Sequence, residues 1–468
     1  MQSQPARFAL FFGNRGFFPS SLMSHARRQM KEVLTGLGHE TIMMDEDATR
    51  FGAVETAEEG RRYAAFLEQN RGRYGGVILC MPNFGDENGA VEGLRHAGVP
   101  ILIQAYPDEM NKLSPDSRRD AFCGKISVMD VFYQQGIKFT ALKPHVVDPA
   151  GGEFARSVDC FNRVCRTVAG MKDVRVGAFG ARTTAFKTVR IDELALQRKG
   201  VTVETYDLSS IIARAHAIDP ASDPYRAKAA FLKGYSDWTG VPGAAFANIS
   251  KLGVVLDEII DRDGLDCLAI RCWLELQQQL QISPCVLLSE LNERGIPFAC
   301  EVDVGSAVAM HALSLATGSV AACLDWNNNY GDDPERCILF HCGPVPQSMM
   351  LGKGRIEDQA ILATVMGHGC SFGCNVGRIK PSPMTYASVM SQEGRLRMYV
   401  GQGEFTGDSI PKEFFGTAGV AKINNLQDVL LMIGREGFRH HVAVSNGSVR
   451  EPLTEAMEKY LGYELIRV

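Results

Sequence analysis

Residues 297–346 read PFACEVDVGSAVAMHALSLATGSVAACLDWNNNYGDDPERCILFHCGPVP. An apolar run ends in Glu301, a small-residue stretch delivers Asp325, and a third apolar run, CILF, ends in His341 and a Gly-Pro turn. A carboxylate at the end of a buried segment is costly unless it is paired or bound to a cation. Glu, Asp and His converging from three segments make the ligand set of a divalent metal bound by oxygen and nitrogen. A closing ligand is expected from His440–His441 in GFRHHVAVSNG. Neighbours on a strand face opposite ways, so His441 is read as the ligand and His440 as orienting it or reaching substrate. Asp303, two beyond Glu301, is a candidate acceptor behind the ligands.

Outward from this stretch, the chain has 468 residues, which suggests two or three domains. Apolar residues make up 45% and charged residues 22%, as in ordinary globular proteins. The net charge of −5 is interspersed, with no acidic or basic tail, which argues against nucleic acid as the main partner. No apolar run is long enough to span a bilayer. The N-terminus enters a strand-like run without a signal-peptide pattern, so a cytoplasmic location is expected. Thirteen cysteines, mostly single within apolar runs, are read as buried reduced thiols. Cys370 and Cys374 form the closest pair, with a redox or zinc role as the minor alternative.

Residues 7–146 alternate strand and helix patterns: RFALFFG, ETIMMD, GGVILCMPNFG and VPILIQAYP are strands. Ser20 or Ser21 is a candidate cap for the first helix. Continuous apolar strands in βαβ order predict an open parallel sheet, which binds ligands at its C-terminal strand ends. Arg15, Asn83, Gln104 and Tyr106 fall there, with turn chemistry an equal reading of Asn83 and Tyr106. FARSVDCFNRVCRTVAGMKD has helical spacing and is expected to link two domains. A second αβ series follows, through VRVGAFG, VTVETYDL, DCLAIRCW and PFACEVD. Neither series carries a dinucleotide or P-loop fingerprint, so no nucleotide cofactor is expected. The loop GARTTAFKTVR offers Arg182, Lys187 and Arg190 as candidate anion contacts. Trp273, Gln277, Trp326 and Asn327 are candidate substrate contacts; Glu275 is read as a carboxylate at a helix N-terminus. Beyond Pro346, short strands between Gly-rich turns predict a β-rich part, closed by a helix over LTEAMEKYLGYEL. The expected fold is thus two consecutive Rossmann-like αβ domains with parallel sheets, 1–170 and 171–345, followed by a β-rich domain, 346–468.

The motifs GNRGFFP, GARTTAFKTVR, CEVDVGSA, CLDWNNNY and the late His-His pair resemble the L-fucose/L-arabinose isomerase family over nearly the whole chain. The spacing of Glu301 and Asp325 is similar to the carboxylate ligands of fucose isomerases, and His341 to the extra histidine ligand of arabinose isomerases. The chain differs from the first branch in being shorter and from the second in having Asp at 325. The resemblance implies an intramolecular oxidoreductase that interconverts an aldose and a ketose through a cis-enediolate. It implies Mn²⁺, or Mg²⁺ or Co²⁺, held by Glu301, Asp325, His341 and His441, with Glu301 and Asp325 as the acid/base pair. The substrates it implies are pentoses and 6-deoxy or 6-substituted hexoses, including a sulfonated sugar such as sulfoquinovose. It implies a homo-oligomer, a hexamer or trimer of dimers, whose first domain covers a neighbour's site. A cytoplasmic sugar-binding protein without catalysis, and a metal-dependent hydrolase or aldolase, are the alternative readings.

Overall fold

The computed structural model describes residues 6–19, 21–183 and 185–467. The chain forms two compact units: residues 1–169 with 455–461, and residues 170–454 with 462–468.

In the first unit, β1 (Arg7–Phe12), β2 (Glu40–Ile42), β3 (Gly76–Met81) and β4 (Ile101–Ala105) form a parallel sheet in the order β2-β1-β3-β4. The central strands β1 and β3 are apolar on both faces because helices cover both. Phe8, Leu10 and Phe12 pack under the helix Gly152–Gly170 through Phe154, Val158 and Phe161, the stripe expected from its spacing. Ser20 lies outside the described residues; Ser21 is the first residue of the helix Ser21–Gly36. The late segment Glu455–Leu461 also belongs to this unit. There the Tyr460 hydroxyl lies 3.0 Å from Thr140 Oγ1.

The second unit holds a parallel sheet of β5 (Val174–Phe179), β6 (Val201–Tyr206), β7 (Cys267–Ile270) and β8 (Phe298–Cys300), ordered β6-β5-β7-β8. It also holds a nine-stranded sheet. Its strands are β9 (Ala321–Asn329), β10 (Arg336–His341), β11 (Arg355–Asp358), β12 (Phe372–Arg378), β13 (Ser382–Gln392), β14 (Arg395–Phe405), β15 (Thr417–Lys422), β16 (His441–Asn446) and β17 (Glu464–Arg467). Their order is β11-β12-β15-β10-β9-β16-β13-β14-β17. An added β14–β15 pairing closes the ring β15-β10-β9-β16-β13-β14 into an antiparallel barrel. The boundary placed at 345 falls after β9 and β10, the first two strands of this sheet. The helix expected over LTEAMEKYLGYEL stops at Tyr460, and Glu464–Arg467 becomes the edge strand β17, parallel to β14. Among the described residues no helix is long and apolar enough to cross a membrane.

Alternation along the barrel strands decides what reaches the site. Leu324, Trp326, Val442 and Val444 pack into the barrel core. Asp325 and His441 stand on the other face, directly opposite one another across the β9–β16 ladder.

Candidate metal centre

Six segments of the second unit converge on one cavity or its rim. The parallel sheet contributes from its C-terminal strand ends: Phe186 after β5, Trp273 after β7 and Glu301 after β8. The barrel contributes Asp325 on β9, His341 at the end of β10 and His441 at the start of β16. The cavity holds about 300 Å³ and is lined by Trp273, Glu301, Asp325, Asn327, His341 and a largely apolar wall.

Glu301 follows β8 with a φ of 60°, and Val302 repeats this at 58°. Two consecutive left-handed residues without glycine are unfavourable. Here they swing the chain off the strand, so that Glu301 enters the cavity and Asp303 caps the next helix. Trp273 Nε1 donates to Glu301 Oε1 at 3.0 Å. Glu301 Oε2 lies 2.9 Å from His441 Nε2, and Asp325 Oδ1 lies 3.5 Å from the same nitrogen. His440 Nε2 is 3.6 Å from Asp325 Oδ1. Glu301, His341 and His441 form one cluster of potential ligand atoms within 4.8 Å of one another; Asp325, His440 and His441 form a second. Asp325 Oδ1 and His341 Nε2 are buried without a hydrogen-bond partner, and Glu301 Oε2 and His441 Nε2 have no partner but each other. Buried polar atoms left so sparsely partnered are uncommon in a folded protein.

Behind His441 stands a buried charge network. His441 Nδ1 donates to Asp303 Oδ2 at 2.7 Å. Asp303 also accepts from Ser306 N at 2.9 Å and Ser306 Oγ at 2.7 Å, and it pairs with Arg439. Asp303 and His441 are fully buried, and the Arg439 side chain is 2% exposed. This arrangement puts the neutral-ring proton of His441 on Nδ1 and turns the Nε2 lone pair to the cavity, as a metal ligand requires. His341 is set the other way. Its Nδ1 accepts the Cys342 backbone N–H at 2.9 Å, so the neutral ring carries its proton on Nε2 and offers the cavity a donor.

Electrostatics follow from these contacts. Burial opposes ionisation of Glu301, but His441, His341 and Trp273 outweigh it and hold its carboxyl below the usual range. Burial likewise opposes charge on His441, yet Asp303 and Glu301 hold its pKa well above the ordinary value. Burial and the neighbouring His441 push His440 down. In the wall, hydrogen bonds from the Cys300 and Cys374 thiols outweigh burial and hold Cys285 well below the usual thiol range. Glu301 Oε2, Asp325 Oδ1 and His441 Nε2 fit a divalent first-row ion in donor type, and none of them has a partner outside this group and the neighbouring His440.

The remaining expected contacts are distributed as follows. Trp273 and Asn327 line the cavity. Trp326 lies on the barrel-core face of β9, its indole N–H donating to Tyr399 Oη at 3.2 Å. Gln277 donates to Cys272 O at 2.9 Å and to Ser283 Oγ at 3.2 Å. Glu275 begins the helix Glu275–Leu280 and pairs with Arg271. Arg182 donates to Thr183 O at 3.3 Å and Arg190 to Lys187 O at 2.9 Å. His440 precedes β16, so strand alternation does not separate the two imidazoles: their centroids are 4.5 Å apart. In the first unit, Arg15 pairs with Glu87 and donates to Gly85 O at 2.7 Å. Asn83 accepts from Arg15 N and Gly85 N and donates to Asn14 Oδ1, the turn chemistry weighed for it. Tyr106 donates to Gln29 Oε1 at 2.8 Å, and Gln104 to Val147 O at 2.8 Å.

The sequence reading missed Phe186 and Arg439. Phe186 lies edge-on to Trp273 and His440, with centroids 5.8 and 5.3 Å away. Its signal was a lone aromatic in an otherwise polar loop.

Fold and donor set together define an α/β protein with a candidate divalent-metal centre between a parallel sheet and a barrel. The chain belongs to the fucose/sulfoquinovose isomerase family. Residues 9–172 match the fucose/sulfoquinovose isomerase N-terminal domain and residues 339–468 the L-fucose isomerase C-terminal domain. A sulfoquinovose isomerase of Alkalicoccus urumqiensis is 24% identical over 63% of this chain and 65% of its own length. One from Priestia aryabhattai is 24% identical over 44% of this chain and 45% of its own. The chain thus aligns with less than two thirds of either relative. Among solved structures, a D-lactate dehydrogenase from Escherichia coli covers 67% of this chain and 98% of its own at 10% identity, but its TM-score of 0.16 carries no argument.

Proposed function

We propose that this chain is a metal-dependent aldose–ketose isomerase acting on a hexose that is 6-deoxy or substituted at C6. The observation that carries the reading is the meeting of two buried carboxylate oxygens that line the cavity, Glu301 Oε2 and Asp325 Oδ1, at one imidazole nitrogen, His441 Nε2, 2.9 and 3.5 Å away. Family membership and the relatives named for sulfoquinovose support it, and make a C6-sulfonated aldose the first sugar to assay. Glu301, Asp325 and His441 would hold Mn²⁺ or a similar ion, which when bound supplies Lewis acidity toward the sugar oxygens.

The chain's own groups perform the proton chemistry. Trp273 donates to Glu301 Oε1 and so orients the ionised carboxylate that serves as base. Asp325 faces the same space from β9 and is its partner in passing the proton between C1 and C2. His341 presents Nε2–H to a sugar oxygen. Phe340, Ile361 and Leu362 supply an apolar wall that keeps water from the enediol. The working unit is a homo-oligomer, a hexamer, in which the first unit of one chain covers a neighbour's site.

Ketose formation from sulfoquinovose, fucose and arabinose, before and after chelation, tests the reading. Glu301→Gln and Asp325→Asn should each lower kcat by about 10²–10⁴-fold with metal content measured in parallel. A sugar isomerised at full rate after exhaustive chelation, or either variant turning over normally with metal bound, would refute it.

A further inference from the structure

Four of the thirteen cysteines, Cys272, Cys285, Cys300 and Cys342, line the cavity, and the proton chemistry above uses none of them. Cys374 stands directly behind, donating to Cys285 Sγ at an Sγ–Sγ distance of 3.9 Å. We propose that Cys285 and Cys374 are a peroxide-reactive thiol pair that closes to a disulfide in the wall of the cavity.

Three features of the backbone bring the two sulfurs together. Ser283 N donates to Phe372 O at 2.9 Å, and Ile282 and Phe372 form a parallel bridge just ahead of the pair. Gly373 has a φ of 139°, and a Cβ there would lie 1.9 Å from Ser283 O, so only glycine permits this approach. Cys285 opens the helix Cys285–Glu293. A thiol at a helix N-terminus is favoured as the thiolate, the nucleophilic form. Cys285 also borders the cavity, which gives a molecule the size of hydrogen peroxide a route to a side chain that is otherwise buried. Cys374 has no such opening among the lining residues and takes the resolving role.

The chemistry balances with one peroxide. The Cys285 thiolate attacks one peroxide oxygen; the O–O bond breaks and hydroxide leaves, taking a proton to become water. This gives a sulfenic acid on Cys285. Cys374 sulfur then attacks Cys285 sulfur, an S–S bond forms, the S–O bond breaks, and the hydroxyl leaves as water with the Cys374 proton. Two thiols are oxidised and one peroxide is reduced to two waters. Closure must draw the sulfurs from 3.9 Å to about 2.05 Å.

The test treats the full-length protein with one equivalent of hydrogen peroxide, blocks remaining thiols with N-ethylmaleimide, and maps peptides without reduction. We expect a cross-linked Cys285–Cys374 peptide pair lighter by two hydrogens, a loss of two titratable thiols, and recovery of both with dithiothreitol. In Cys374→Ser, oxidation should stop at the sulfenic acid, with dimedone labelling of Cys285 at least tenfold above wild type. Cys285 recovered as sulfinic acid without a cross-link, equal dimedone labelling in both proteins, or oxidation confined to the exposed Cys123 would each overturn the proposal.

Discussion

His441 and His341 both turn Nε2 away from their Nδ1 partners but differ in whether it carries the proton, and the difference predicts different phenotypes. His441 is held by Asp303 with its Nε2 lone pair inward; His341 is held by the Cys342 N–H with Nε2–H inward. His441→Asn should therefore abolish tight Mn²⁺ binding, while His341→Asn should change the dissociation constant by less than about tenfold yet still impair turnover. Calorimetric titration of both variants checks this, and equal losses of metal affinity would show that His341 is a ligand after all. Titration has a sign as well. The raised pKa of His441 means that this site gains a proton on folding without metal. Its contribution to stability is complete below about pH 6.5 and is lost as pH rises through the raised value. Binding of Mn²⁺ would expel that proton, so affinity should fall as pH drops and binding should release protons. Comparing binding heats in buffers of different ionisation enthalpy measures the number; no release would contradict the assignment. Glu301 and Asp325 were legible in the sequence because each ends an apolar run, and His441 because it opens one beside a second histidine. Arg439 was not, because a single arginine among Phe438 and His440 gives no hint that it is buried against Asp303. Trp326 was placed in the wrong company for a simple reason: it adjoins Asp325, and adjacency along a strand puts a side chain on the opposite face.

At the level of elements, the helix Val304–Thr317 packs against β9, β13 and β16 and carries its own capping carboxylate, Asp303, into the network behind the candidate metal ligands. Gly305 makes the close packing possible. A Cβ there would lie 2.3 Å from the Arg439 guanidinium and 2.5 Å from the Val389 carbonyl, and the latter, being backbone, cannot swing away. Gly305→Ala should cost about 1–3 kcal/mol of stability by overpacking. It should also weaken Mn²⁺ binding, because Arg439 is displaced from Asp303. Urea unfolding and metal titration of the variant test both; a loss of stability with unchanged affinity would mean that Arg439 has no part in orienting His441. The parallel strands were readable from their continuous apolar character, and the barrel strands from their turn signals. What the chain did not disclose was the long-range pairing. Nothing local to LFHCG or AACLDW says that β9 lies between β10 and β16, or that Cys374 meets Cys285 rather than Cys370.

For the molecule as a whole, the barrel closes through strands that are distant in sequence. β16 inserts between β9 and β13, and only that insertion brings His441 opposite Asp325. The same fact can be expressed in time. As the chain is synthesised, Glu301 and Asp325 emerge more than a hundred residues before His441. A divalent ion therefore meets an incomplete set of ligands until the last barrel strands have paired, and it cannot template the earlier steps. Pairings of this range are slow to form, because loop closure must precede the contacts that reward it. On the proposed assignment the ion would act as a late lock: it should leave the refolding rate of the purified protein unchanged within about twofold while slowing unfolding, as expected for interactions absent from the transition state. Stopped-flow refolding and unfolding with and without Mn²⁺ separate the two arms, and an ion-dependent acceleration of refolding would place β16 in its slot earlier than this topology allows.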